Sequence, residues 1–395
     1  MNKHKPGDGT SLIHNEYSPP EGFVSLSTPI HHASTVVFDS VQSFQNRLEN
    51  EDEGYSYGLI GTPTTMILAQ QIADLEGGHK SVLTPSGLSA ITLVYLSCLE
   101  QGDHVLVCDN IYSPSRELCT KLLKGFGIET TFYDPMIGGD IETLFRSNTK
   151  LVWTESPGSI TLEVQDIPAI VSVAHRRGAL VAIDNTWAAG VYFKPFEYDC
   201  DISVQAITKY ISGHSDLFMG SITTQDNALH RKIKNMAITL GLSAAPDDCF
   251  LTLRGLTTLK TRLNQHEKSA LEIARWLKQR PEVKKVLHPA LEDCLGHTIW
   301  KRDFSGSSGL FSIILDERYP QDDVARMIDS LQYFKIGASW GGPVSLVLPL
   351  NPQRTRTATQ WDPKGQLIRF SIGLEDTVDL ISDLEEGLLH MSSTQ

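Results

Sequence analysis

The sequence predicts an α/β protein: a large domain on a mostly parallel sheet, followed by a smaller α+β domain. Three observations carry that prediction. The short apolar runs at 105–108, 151–153 and 180–183 show no polar alternation, which suits strands buried on both faces. Helical patterns separate these runs, as βαβ units require. Beyond about residue 256, strand and helix patterns segregate rather than alternate.

The 395 residues suit more than one domain. We expect an N-terminal arm over 1–60 that contacts a neighbouring subunit, an α/β domain over 61–255 and an α+β domain over 256–395. With 41% hydrophobic and 21% charged residues, the chain has globular composition. The formal net charge of −13 argues against nucleic acid and anionic membranes as partners. Six cysteines form no C-x-x-C pair and no zinc-spaced cluster with histidine, so no metal site is expected and the chain reads as reduced and cytoplasmic. The first ten residues are polar and lack the apolar core of a signal peptide. No stretch approaches the ~20 apolar residues of a membrane span.

In chain order, residues 1–60 are rich in Pro, Ser, Thr and His and read as extended, with one short helix from Val41. Thr84-Pro-Ser-Gly-Leu-Ser-Ala90 opens a helical run through Leu99. A further helix starts at Asp166 as N-cap, carries Pro168 in its first turn, and stops at Gly178. Its buried stripe is Ile167, Ile170, Val171 and Ala174. Residues 202–208 read as a strand closed by Lys209. A long helix spans about 252–280 and ends before Pro281. The last part holds a strand over 309–315 and a closing helix near 378–391.

Three features carry chemistry. An apolar strand ends in Asp184 and Asn185, at the carboxyl edge that faces the crevice of an open parallel sheet. Such an Asp serves as readily as a turn cap. Lys209 closes another apolar run and is followed by small and polar residues. A lysine there usually snorkels to the surface, but a desolvated one becomes a nucleophile towards an aldehyde. The small residues around Ser86 leave helix-start N–H groups that suit a phosphate, although Ser86 is also an ordinary N-cap. Lysine, aspartate and phosphate-ready helix together meet the needs of pyridoxal phosphate.

The chain resembles the cysteine/methionine-metabolism family of pyridoxal-phosphate enzymes. The resemblance rests on Glu155-Ser-Pro-Gly-Ser-Ile-Thr161, Asp184-Asn-Thr-Trp-Ala-Ala-Gly190, Thr208-Lys-Tyr210 with Gly213-His-Ser-Asp216, Ser339-Trp-Gly-Gly342, and Leu367-Ile-Arg-Phe-Ser-Ile-Gly-Leu-Glu375. It runs from about Thr28 to Gly387. It implies the aspartate-aminotransferase-like fold (fold type I) and a homo-oligomer, a dimer or a tetramer of paired dimers. The branch it is most similar to performs β-elimination on cystathionine, releasing a thiol such as homocysteine, pyruvate and ammonia, a step of methionine biosynthesis. Sibling γ-elimination and γ-replacement would use the same core residues, and a non-catalytic cofactor-binding regulatory protein is the alternative outside the enzymes.

Residue by residue, the resemblance implies that Lys209 carries the cofactor and shuttles protons, and that Asp184 pairs with the pyridine nitrogen. Gly87, Leu88 and Thr208 would hold the phosphate, and Tyr112 would stack on the ring. Ser339 would touch Lys209 or substrate, Trp340 would line the pocket, and Arg369 would clamp the substrate carboxylate. Tyr57 would act in the neighbouring subunit's site. One departure stands out: where the family reads Tyr-x-Arg, this chain reads Tyr57-Gly58-Leu59.

Overall fold

A computed structural model describes residues 7–391 apart from 15, 16, 18, 19, 24, 49–53 and 355. The larger sheet holds seven strands: β1 (Lys80–Thr84), β2 (His104–Cys108), β3 (Glu129–Tyr133), β4 (Thr149–Glu155), β5 (Leu180–Asp184), β6 (Ile202–Gln205) and β7 (Gly220–Thr224). Their spatial order is β1-β7-β6-β5-β4-β2-β3. The five strands from β6 to β3 are parallel, whereas β7 runs antiparallel to both β6 and β1. Every residue of β2 is buried, which is why its apolar run shows no polar alternation. The carboxyl ends of β4 and β5 and the turn after β6 meet at one crevice.

A second sheet takes β8 (Val283–Leu287), β9 (Leu310–Leu315), β10 (Lys335–Ile336), β11 (Leu346–Leu350) and β12 (Leu367–Ser371) in the order β10-β11-β12-β9-β8. Its pairs are antiparallel except β10 with β11. The helix Leu259–Lys278 belongs to both cores. Leu259 and Leu263 pack into the first, and Ala270, Ile273, Ala274 and Leu277 into the second.

Most expected elements are present. The helix Ile167–Arg176 begins where Asp166 accepts the Ala169 N–H, and it buries the predicted stripe. Three expectations need correction. The 252–280 helix is two helices, Pro246–Leu256 and Leu259–Lys278. An unbroken helix would give the Gly255 carbonyl to the Leu259 N–H. Instead it accepts from the Arg262 guanidinium at 2.8 Å and from the Thr258 N–H at 3.2 Å. The strand expected over 202–208 stops at Gln205. There the Ala206 N–H leaves the ladder for the Thr186 hydroxyl at 2.9 Å, so Lys209 stands in the turn beyond. Among its described residues the N-terminal stretch holds two short α-helices, Asp8–Ile13 and Val41–Gln45, rather than one. The first is docked: Leu12 is buried in the larger core, and Lys194 reaches Asp8 at 3.3 Å.

Candidate active site

A cavity of about 330 Å³ occupies the crevice. Gly87, Leu88, Tyr112, Asp184, Thr208, Lys209 and Trp340 all line it, together with Glu155, Thr186, Trp187, Phe218 and Leu310. Of the ten residues singled out from sequence, seven thus share one wall-to-wall space.

The turn after β6 sets Lys209. Its N–H bonds the Ala206 carbonyl, and its own carbonyl accepts from Gly213. Arg262 braces this turn from beneath, donating to the carbonyls of Tyr210 at 2.7 Å and Ile211 at 3.3 Å. The Lys209 ammonium group lies 2.8 Å from the Ser339 hydroxyl and 5.5 Å from the Trp340 ring centre. Burial, with the Arg369 charge adding to it, pulls its pKa down to about 8, against a weaker opposite pull from Asp184. A free amine at this pKa keeps roughly a fifth of its population neutral near pH 7.4, far more than an ordinary lysine, and the neutral form is what a nucleophile or base requires.

Asp184 ends β5 and accepts from Thr186 twice, from the N–H at 3.1 Å and the hydroxyl at 2.5 Å. Burial raises its pKa, while the Thr186 donors and Lys209 work to keep it ionised. Behind it, the buried Glu76 accepts from Asn185 on one side and from Ser203 and Gln205 on the other, tying β5 to β6. Tyr112 hangs over the cavity, with its backbone N–H donating to Glu155 at 2.7 Å.

At the opposite side the helix Gly87–Cys98 points its start into the cavity. Ser86 caps the Ser89 N–H at 3.0 Å and its carbonyl takes the Ala90 N–H. Among the described residues, the N–H groups of Gly87 and Leu88 have no protein acceptor. Gly87 itself is required, because a Cβ there would lie 2.7 Å from the Ala206 Cβ. Thr208 lines the cavity too, but its hydroxyl bridges Met219, donating to the carbonyl at 3.1 Å and accepting from the N–H at 3.0 Å.

Arg369 projects from the middle of β12, opposite Ser312 of β9. Among the described residues it makes no ion pair with a carboxylate. Burial lowers its pKa to about 10, and its electrostatic neighbours are Tyr112, Tyr210 and Lys209. Ser339 and Arg369 sit beside the cavity rather than in its lining. Tyr57 is not part of this chain's own cavity. It is 49% exposed, bridges to Thr35 in a β-pair and lies 3.5 Å from the Ser34 hydroxyl. Leu59 borders a different groove, beside Lys80 and Lys234.

The model of the Cys/Met metabolism PLP-dependent enzyme family matches residues 9–389. The chain belongs to that family. It is 42% identical over 384 residues to the cystathionine beta-lyase MetC of Escherichia coli, covering 96% of this chain and 97% of that one. It is 40% identical over 381 residues to an L-alanine/L-glutamate racemase of Wolbachia pipientis, with 93% of each chain covered. Among solved structures, a cystathionine gamma synthase of Xanthomonas oryzae in complex with aminoacrylate and cysteine superposes with a TM-score of 0.88 at 31% identity, over 98% of this chain and 99% of that one. The fold is therefore that of the fold type I enzymes.

The residues present fit the family's pyridoxal phosphate. Two acceptor-free N–H groups at a helix start suit its phosphate. A buried carboxylate suits its pyridine nitrogen, and a desolvated amine suits its aldehyde. Sequence reasoning missed Thr186, Arg262 and Glu155. Thr186 was findable, since a Thr two residues after an Asp commonly closes an Asx turn. The others meet their partners across 43 to 52 residues of chain, a distance no local pattern encodes.

Proposed function

We propose that this protein is a carbon–sulfur lyase that performs β-elimination on cystathionine or a related cysteine thioether, giving a thiol, pyruvate and ammonia. The observation that carries an amino-acid substrate is Arg369, a partly buried guanidinium with no carboxylate of its own among the described residues, close to Lys209. Its planar fork matches a carboxylate. The sulfur substrate is supported by the 42% identity to a cystathionine beta-lyase across 96% of the chain.

Pyridoxal phosphate, when bound, withdraws electron density from the Cα of an amino acid joined to it, so that the Cα proton and the β-substituent can leave. The chain supplies the rest. Arg369 fixes the substrate carboxylate and thereby the Cα–H direction. The Lys209 amine, beside Ser339, takes the Cα proton and can return one to the departing sulfur. Asp184 holds negative charge against the pyridine nitrogen, and the Gly87 and Leu88 N–H groups anchor the phosphate. Trp187, Leu310 and Trp340 exclude water. A second copy of the chain would cover the cavity mouth, where Phe218 is 75% exposed and Tyr112 42%. Tyr57 is proposed to act in that second copy's site. All six cysteines are free, as suits a reducing compartment such as the cytoplasm.

The test is to incubate purified holoenzyme with cystathionine, smaller cysteine thioethers and L-alanine, then measure thiol, pyruvate and D-alanine. Thiol and pyruvate formed in equal amounts from cystathionine support the reading. D-Alanine without pyruvate from any thioether would overturn it in favour of the racemase chemistry of the Wolbachia relative.

A further inference from the structure

Glu155 ends β4 directly opposite Asp184, the last residue of β5. Register partners on adjacent parallel strands point to the same face, with the strands about 4.8 Å apart. Both side chains line the cavity and both carboxyls are desolvated by burial, so two acids stand side by side with few donors to share. They cannot both ionise cheaply. Their donors decide which one keeps its proton. Asp184 receives two hydrogen bonds from Thr186 and the attraction of Lys209. Glu155 receives one, from the Tyr112 N–H, and no cation bonds it among the described residues. Burial first, and then the charge on Asp184, push Glu155 well above the usual carboxylate range. The other titratable groups around the pair are Tyr112, Lys209, Arg369 and the buried Cys108, whose thiol is pushed well up by burial and by Glu155.

We propose that Glu155 is a positioning residue of this site: it anchors the Tyr112 backbone through one carboxyl oxygen and stays uncharged, leaving Asp184 the charged member of the pair. The inference rests on the roles given above to Asp184 and Tyr112. A neutral acid still accepts the Tyr112 N–H, so the side chain fixes the ring at the cavity roof without adding a second negative charge. Ionised, it would compete with Asp184 for the same cationic partner.

An amide is the closest neutral replacement for a protonated carboxyl, so Glu155→Gln and Glu155→Ala holoenzymes separate the possibilities. Two quantities are read: the pH midpoint at which the bound cofactor's visible band titrates, and kcat with KM. Glu155→Gln is expected to keep the midpoint within about 0.3 pH unit and kcat within about threefold. Glu155→Ala is expected to retain cofactor and lose about tenfold or more in kcat, because Tyr112 loses its anchor. A midpoint shifted by about one unit or more in Glu155→Gln would mean that a charge had been removed, and would overturn the proposal. Unchanged kcat in Glu155→Ala would overturn it as well. If Glu155→Ala does not fold, the Glu155→Gln midpoint decides alone. The midpoint is read without substrate, so a protein that shows the band but no lyase turnover fails the proposed function and still tests Glu155.

Discussion

Lys209 and Arg369 are two cations held in one buried neighbourhood, and each makes the other's charge more costly. The consequence for Lys209 is measurable in apoenzyme. Protonated amine cannot attack an aldehyde, and the neutral fraction grows as pH rises through about 8. The rate of recombination with pyridoxal phosphate should therefore rise between about pH 7 and 9 and then level off. A rate still climbing at pH 10 would mean that Lys209 is solvated like a surface lysine. For Arg369, removing the fork should leave cofactor absorbance intact and lower kcat/KM by roughly ten- to a hundredfold in Arg369→Ala, from a charged contact of ~1.5–3 kcal/mol. Arg369→Lys should recover little of this, since a point charge does not reproduce two parallel hydrogen bonds. Equal KM and kcat in wild type and Arg369→Ala would put the carboxylate elsewhere. At this scale the sequence was informative where chemistry sits at the end of an apolar run, as with Asp184. It was mute about Arg262, whose contacts with the Lys209 turn join residues 51 and 52 apart.

Elements were legible where burial imposes a pattern and illegible where a side chain intervenes in the backbone ladder. Strands β2, β4 and β5 were readable because both faces are covered. The ends of β6 and of the helix Pro246–Leu256 were not, because Thr186 and Arg262 each capture a backbone group that the regular pattern would have used. The Ser339–Gly342 loop shows how close two elements can approach. Gly341 has φ +83°, and a Cβ there would fall 2.8 Å from the Tyr210 nitrogen and 3.3 Å from the Lys209 Cα. Gly241 makes a matched control, with φ +68° and nothing within 4 Å of the same Cβ. Both alanine substitutions should cost ~1–2 kcal/mol of stability from the left-handed backbone alone. Only Gly341→Ala should also displace Lys209 and cut turnover. Thermal melts and kcat on both proteins check this, and equal kcat in the two would refute the close packing of the loop on the lysine.

At the scale of the molecule, Tyr57 is exposed and does not line its own chain's cavity, and Phe218 is exposed at the mouth. If the tyrosine serves a second copy, two inactive variants should rescue each other. Lys209→Ala and Tyr57→Phe subunits, mixed, unfolded and refolded together, should regain up to about a quarter of wild-type activity, the share expected when one site in each mixed dimer is intact. No recovery in a mixture proven to contain hybrids would mean that Tyr57 has no role in a neighbour's site. The fold class was readable from sequence at this scale, since the order of apolar runs fixes a parallel sheet. What covers Tyr57 and Phe218 was not, because an exposed aromatic residue looks the same in sequence whether water or protein covers it.

The helix Leu259–Lys278, shared by the two cores, has a consequence for recombining this chain with its relatives. A crossover in the loop after Lys278 would keep Ala270, Ile273, Ala274 and Leu277 while exchanging the strands they were shaped to meet. A crossover at the Thr257–Thr258 break would instead hand Leu259 and Leu263 a foreign partner in the larger core. Neither cut is neutral, because one rod is a tenant of both interiors. Chimeras that fold well should be those whose parents agree at these six positions, whatever their identity elsewhere.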